Sequence, residues 1–258
     1  MVDYALELVE KGDLKGGEKI LDTLQKKFKH HSHIYYGLGV LAAFDQNYDE
    51  AIQNFTAAVQ ILPDFVEAHY NLGVAYQKQL KIPEMITVFR RVVKIGEPGS
   101  EVVHHAQDML RKLEQQIQDS DGIRLDEYMK GFQFFEQGME YMESGNWEAA
   151  IAGFSDTLRI NPNHTQSYGN LGICYASIGK IQLALEAFDK ALESDPDYEP
   201  AMVNRKIVQS FEEGECLGKR LKTIEYYKDY PLKNRSFIKE FAANHGLLSD
   251  KEQSGQEN

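Results

Sequence analysis

A chain of 258 residues with 42% hydrophobic and 26% charged residues has the make-up of a folded protein with a sizeable interior. Its net charge of −12 runs over both halves with no basic stripe. That disfavours nucleic acid and anionic membranes, because Lys and Arg displacing counterions supply most of such affinity. The N-terminal MVDYALELVEKGD has acidic residues where a signal peptide carries a basic region. No stretch approaches the roughly 18 apolar residues of a membrane span. Cys174 and Cys216 show no CxxC spacing, and Cys174 reads as a buried thiol inside a helix. The expected location is the cytoplasm.

In chain order, one pattern returns about every 34 residues. A partial first unit shows in Ala5, Leu8, Gly17, Leu21 and Leu24. A second begins near Ser32, with Leu38, Gly39, Ala51, Phe55, Ala58 and Pro63. A third begins near Val66, with His69, Leu72, Gly73, Tyr76 and Phe89; Met85 replaces a small residue and Pro98 falls one place late. From Ser100 to Lys130 the pattern lapses, yet Val103, Ala106, Leu110, Leu113 and Ile117 still step at helical intervals. This predicts a helix covering the third unit, closed by DSDG at Asp119–Gly122.

A new run through Leu125, Tyr128, Met129 and Phe132 merges with a fourth unit near Gly131. There Phe134, Gly138, Tyr141, Ala150, Phe154 and Pro162 fit, and Gln137 takes a leucine position. The fifth, from Thr165, is the clearest: Tyr168, Leu171, Gly172, Tyr175, Ala184, Phe188, Ala191 and Pro196. The sixth, near Glu199, degrades, with Arg205 and Lys206 where Leu and Gly would stand. Lys219–Tyr227 and Asn234–Asn244 are expected to be capping helices, and the polar stretch from Ser249 a disordered tail.

Each full unit is predicted to be two helices. In the fifth, Tyr168, Leu171, Gly172 and Tyr175 share one face; Gly179 breaks the helix; Leu183, Ala184, Ala187, Phe188 and Ala191 make a second face; Pro196 ends it. Small residues let helix axes approach, and neighbours must stack because one pair cannot bury its own apolar face. Asp64 with Glu67, Asn163 with Gln166, and Asn47 with Glu50 have capping-box spacing at helix starts.

These positions resemble the tetratricopeptide repeat family. The resemblance implies an all-α fold, a right-handed α-solenoid of antiparallel helix pairs. The expected organisation is an N-terminal array over 1–99, a helical interruption or degenerate repeat over 100–130, and a C-terminal array over 131–230. A capping helix over 231–248 and a disordered tail over 249–258 follow. The interruption either keeps one superhelix or sets a hinge near Gly122.

No catalytic constellation is present: Gly37-Leu38-Gly39 lacks a phosphate loop's third glycine, and there is no GxSxG, HExxH or Walker pattern. His30, His31 and His33, and the pair His104 and Asp108, lack third and fourth ligands at metal spacing. No enzyme activity, cofactor or metal is expected. Trp147 reads as a packing residue in the turn before a helix.

The resemblance also implies that first helices line a concave groove. Its residues here would be Tyr36, Val40 and Phe44; Tyr70, Asn71 and Val74; Phe132, Phe135, Glu136 and Met139; Asn170 and Ile173; and Val203, Asn204 and Ile207. Asn71, Asn170 and Asn204 share one position, where an amide can both donate to and accept from a peptide backbone. The family's charged clamp for acidic C-terminal tails is not expected, because Tyr36, Val40, Glu67, Phe135, Met139, Pro200 and Asn204 fill its positions. The function implied is a non-catalytic adaptor or scaffold that holds an extended or helical segment of a partner protein. The alternative is a self-assembling scaffold whose apolar groove or open repeat end is covered by another subunit.

Overall fold

The computed structural model describes residues 1–216, and among these there are twelve helices and no strand. α1 (Val2–Glu10) packs on α2 (Leu14–Lys27), α3 (Ser32–Phe44) on α4 (Tyr48–Ile61), and α5 (Val66–Lys78) on α6 (Ile82–Ile95). α7 (Glu101–Asp121) follows alone. Then α8 (Leu125–Glu143) packs on α9 (Trp147–Ile160) and α10 (Thr165–Ser177) on α11 (Ile181–Ser194), with α12 (Glu199–Val208) last. The chain divides into two compact units, Met1–Lys112 and Leu113–Asn258, and the division falls inside α7. Within the described residues each is an all-α stack of antiparallel helix pairs. The expected helices at Lys219–Tyr227 and Asn234–Asn244 and the tail from Ser249 lie outside the described residues.

One turn recurs inside every pair. The first helix ends on a residue in the left-handed region: Gly12, Gln46, Leu80, Gly145 and Gly179, with φ of 86°, 60°, 56°, 75° and 75°. The next residue's N–H reaches back to close the helix, as in Asn47 to Ala42 O at 2.9 Å and Lys180 to Tyr175 O at 2.9 Å. That same residue starts the second helix. Asp13, Asn47 and Asn146 accept through their side chains from the amides of Gly16, Glu50 and Ala149. The cap expected of Asn47 is present.

Between pairs the chain makes a proline turn. The amides of Phe65, His164 and Tyr198 donate to the carbonyls of Leu62, Asn161 and Asp195, each at 3.1 Å, across Pro63, Pro162 and Pro196. This corrects the expected caps at Asp64 and Asn163. The turn needs four residues, so both lie inside it and the cap moves one place on. His164 caps α10 by accepting from the Ser167 amide at 3.2 Å, and Phe65 makes no side-chain cap. Asp64 instead pairs with Arg91.

Close packing explains the small residues. A Cβ added at Gly39, Gly73, Gly138 or Gly172 would lie 2.6, 2.4, 2.8 or 2.5 Å from the ring of Phe55, Phe89, Phe154 or Phe188. Each phenylalanine lies flat on the first helix of its own repeat, where only glycine leaves room. These four rings are fully buried and form the spine of the core.

In α7, Val103, Ala106, Leu113 and Ile117 are buried and Leu110 is half-buried, as the stripe predicts. Its first half belongs to the first unit, where Val103 packs beside Gly96 of the third repeat. Its second half belongs to the second unit, where Asn161 Nδ2 donates to Asp121 Oδ2 at 2.9 Å. Trp147 is the first residue of α9, not a turn residue, and packs half-buried against the core. Gln137, in the leucine position, is exposed. Among the described residues no helix is long and apolar enough to cross a membrane.

Candidate functional site

The first helices carry the expected binding positions. In the first unit, Tyr36, Val40, Tyr70, Asn71 and Val74 are half-buried and Phe44 is exposed. Aromatic rings at the fifth position of each repeat do double duty. Tyr36, Tyr70 and Phe135 rest on the core rings Phe55, Phe89 and Phe154, with centroids 5.9, 5.9 and 5.5 Å apart. Two of them are also wedged by the turn that ends the repeat: Tyr36 meets Phe65 at 5.0 Å and Phe135 meets His164 at 5.2 Å. At Gly169 the same position is given up to Tyr198, whose ring a Cβ would approach to 3.0 Å. Phe65, His164 and Tyr198 thus fix the geometry of the site, although sequence reasoning passed over them. The available signal was their place, each immediately before a repeat begins.

The asparagine position is not an open ladder. Asn71 donates to the Tyr36 phenol oxygen at 3.1 Å. Asn170 is fully buried, its Nδ2 lying 3.2 Å from Met139 Sδ, while its Oδ1 has no partner among the described residues. Asn204 is buried too. Met139 and Ile173 are likewise buried rather than open to a ligand. Phe132 and Phe135 are half-buried, and Glu136, Val203 and Ile207 are exposed.

Charge does little at these positions. Burial pushes the Tyr36 phenol upward, opposed by the Asn71 hydrogen bond and reinforced by Glu67 and Glu10. Burial raises Tyr70 as well, with Glu101 adding to it. His33 lies tilted over Phe65 at 4.8 Å and meets His31 edge-on at 5.5 Å. Hydrogen bonds from Lys112 and Arg111 hold the Asp108 carboxyl below the usual carboxylate range, so it is already matched by cations rather than by His104. Among the described residues no three His, Cys, Asp or Glu side chains converge as metal ligands would.

Two stretches agree with family models: residues 45–79 with one described as "TPR repeat", and residues 165–198 with one described as "Tetratricopeptide repeat". The chain is a tetratricopeptide repeat protein. Repeats of this family are protein-interaction modules. Superkiller protein 3 of Schizosaccharomyces pombe is 25% identical over 199 residues, covering 70% of this chain and 14% of the relative. Hsp70-Hsp90 organizing protein 3 of Arabidopsis thaliana is 26% identical over 136 residues, covering 53% of this chain and 23% of the relative. Tetratricopeptide repeat protein 13 of Homo sapiens is 26% identical over 160 residues, 58% of this chain and 18% of the relative. These matches span less than a quarter of each curated relative.

Among solved structures, the tetratricopeptide repeat protein YrrB, titled as having an unusual peptide-binding site, aligns at 21% identity and a TM-score of 0.38. That alignment covers 80% of this chain and 90% of YrrB. The TPR2AB domain of yeast Sti1, in its pHSP90 complex, aligns at 12% identity and a TM-score of 0.40, covering 94% and 92%.

Proposed function

We propose that this tetratricopeptide repeat protein is a non-catalytic cytoplasmic adaptor that binds an extended or helical segment of another protein along its first-helix faces. The observation that carries this reading is the state of the fifth-position aromatics. Tyr36 and Phe135 are clamped on one edge by core and turn rings and Tyr70 by a core ring, yet all three remain only half-buried. A ring already immobilised has little side-chain entropy left to lose on binding, so its open edge is an efficient apolar contact. Val40, Val74 and exposed Phe44 extend that surface in the first unit, where burial contributes about 25 cal/mol per Å².

The test is selection of displayed random peptides against the full chain, followed by affinity for Val74→Glu, which places a charge beside Tyr70 and Asn71. A loss of about tenfold or more is expected, the cost of desolvating an unpaired carboxylate against apolar groups. Unchanged affinity would mean that the peptides bind elsewhere. A second reading, in which another copy of the chain covers these faces, is favoured by the exposed Phe44, Val203 and Ile207. It requires a mass that rises with concentration, and a monomer at all concentrations excludes it.

A further inference from the structure

Around the aromatic row of the first unit the free charges are of one sign. Glu67 stands one helical turn before Tyr70 and Asn71 on α5, and Asn71 is bonded to Tyr36. Glu101 stands one turn before His105 on α7, whose Nδ1 lies 3.4 Å from the Tyr70 hydroxyl. Charge is a minor influence on the two phenols beside burial, but it agrees with this placement: Glu67 and Glu10 act on Tyr36, and Glu101 acts on Tyr70. All three carboxylates are exposed, and none takes part in an ion pair among the described residues.

The cations of the same helices are committed or distant. Arg111 and Lys112 both bind Asp108 on α7. Lys78 sits in the last turn of α5, about 16 Å along the helix from Glu67. α3, which carries Tyr36, Val40 and Phe44, holds no Asp, Glu, Lys or Arg at all. The face therefore offers apolar groups and uncompensated carboxylates together, which is the complement of a segment that is both apolar and basic.

Backbone groups and spacing narrow the shape of such a segment. Asn71 uses the Tyr36 phenol oxygen as an acceptor, which leaves the Tyr36 O–H to donate to a backbone carbonyl. Packed helices lie about 10 Å apart, a distance that an extended chain covers in about three residues. An extended segment crossing from α3 to α7 thus meets successive first helices with side chains about three apart.

We propose that the first unit binds an extended segment with basic side chains about three residues apart around an apolar residue, the cations meeting Glu67 and Glu101 and the apolar residue meeting Val40, Val74 and the tyrosine rings. This rests on the groove reading above and names the chemistry of its partner. The probes are displayed random peptides selected on the full chain at pH 8 and low salt. They should be enriched in Arg and Lys at that spacing, and one of them is remade with glutamine at its basic positions. The Glu67→Gln, Glu101→Gln protein should bind the basic peptide about tenfold more weakly, the size expected of two solvent-facing ion pairs, and the glutamine version no differently. That difference should vanish near 1 M salt, where charges are screened beyond about 3 Å. Glu18→Gln, Asp22→Asn, which removes the same charge from α2, should leave affinity unchanged.

Unchanged affinity of the basic peptide for the Glu67→Gln, Glu101→Gln protein overturns the proposal. So does an equal loss in the α2 control, which assigns the preference to overall charge, or binding that weakens as protein concentration rises, which assigns the face to a second copy. Val74→Ser, which adds no charge, separates this proposal from the groove reading. Selected peptides that lose binding with Val74→Ser yet are neutral or acidic leave the groove reading standing and remove this one. Peptides indifferent to Val74→Ser remove both.

Discussion

Asn71 on α5 donates from Nδ2 to the phenol oxygen of Tyr36 on α3, 3.1 Å away, and so ties the first helices of two successive repeats. Both side chains are half-buried, so water competes only partly for the bond. Tyr36→Phe is expected to cost about 0.5–1.5 kcal/mol, the usual net contribution of one such bond. Asn71→Ala should cost a similar amount, and the double variant scarcely more than either single one. Urea midpoints of the three proteins measure this, and fully additive losses would show the two groups to be uncoupled.

Gly172 has no room for a side chain, with Phe188 Cε1 at 2.5 Å from where a Cβ would sit. Gly172→Ala should cost about 1–3 kcal/mol through overpacking, and Gly172→Leu more. Gly131 is the control: its Cβ would meet only Ile160, at 3.7 Å, so Gly131→Ala should be neutral or slightly stabilising because helical glycine costs about 1 kcal/mol relative to alanine. Thermal unfolding of the two alanine variants compares them directly. Equal melting temperatures would contradict the packing described.

Much of this architecture was legible because it depends on local rules repeated in series. The glycine–phenylalanine pairs, the α7 stripe and the Asn47 cap follow from residue size, periodicity and a polar residue at a helix start. The site was less legible because it depends on what packs across repeats. Nothing in the spacing of Asn71, Asn170 and Asn204 distinguishes a half-buried amide bound to Tyr36 from a fully buried one beside Met139. Arg205, standing in a leucine position of the sixth unit, bonds through Nε to Asp189 of α11, a partner 16 residues away that no helical period brings to it. The caps at Asp64 and Asn163 were misplaced because the proline turn consumes one more residue than the capping-box spacing allows.

Gln46 occupies, with φ of 60°, the turn position that glycine holds at 12, 145 and 179. A non-glycine residue there bears about 1–2 kcal/mol of steric strain, against roughly 0.5–1 kcal/mol of extra chain entropy lost by glycine on folding. Because Gln46 is exposed, replacing it removes no core contact. Gln46→Gly should therefore stabilise the protein by about 0.5–1 kcal/mol, read as a higher urea midpoint with an unchanged slope. A lower midpoint would show that the strain is smaller than the entropy term.

The two thiols should separate cleanly in reactivity and in their effect on pH stability. Cys174 is fully buried in α10 and Cys216 is exposed. Burial pushes the Cys174 thiol from its ordinary value of 9.0 up to about 12, so it carries almost no thiolate at pH 8, and it is the thiolate that reacts. A disulfide reagent at pH 8 should label one thiol per native chain and two after unfolding. Two rapid equivalents in the native protein would mean that α10 opens far more often than its packing implies. The same shift fixes the sign of the pH dependence. The folded thiol holds its proton more tightly than the unfolded one, so its contribution to stability is complete below about pH 9 and is lost as pH climbs toward 12. Tyr36, Tyr70 and Tyr76, each raised above 10.0 chiefly by burial, add to that decline in the same direction. Denaturant midpoints should accordingly fall from pH 9 upward, and Cys174→Ala, which removes the titrating group, should flatten the early part of that fall.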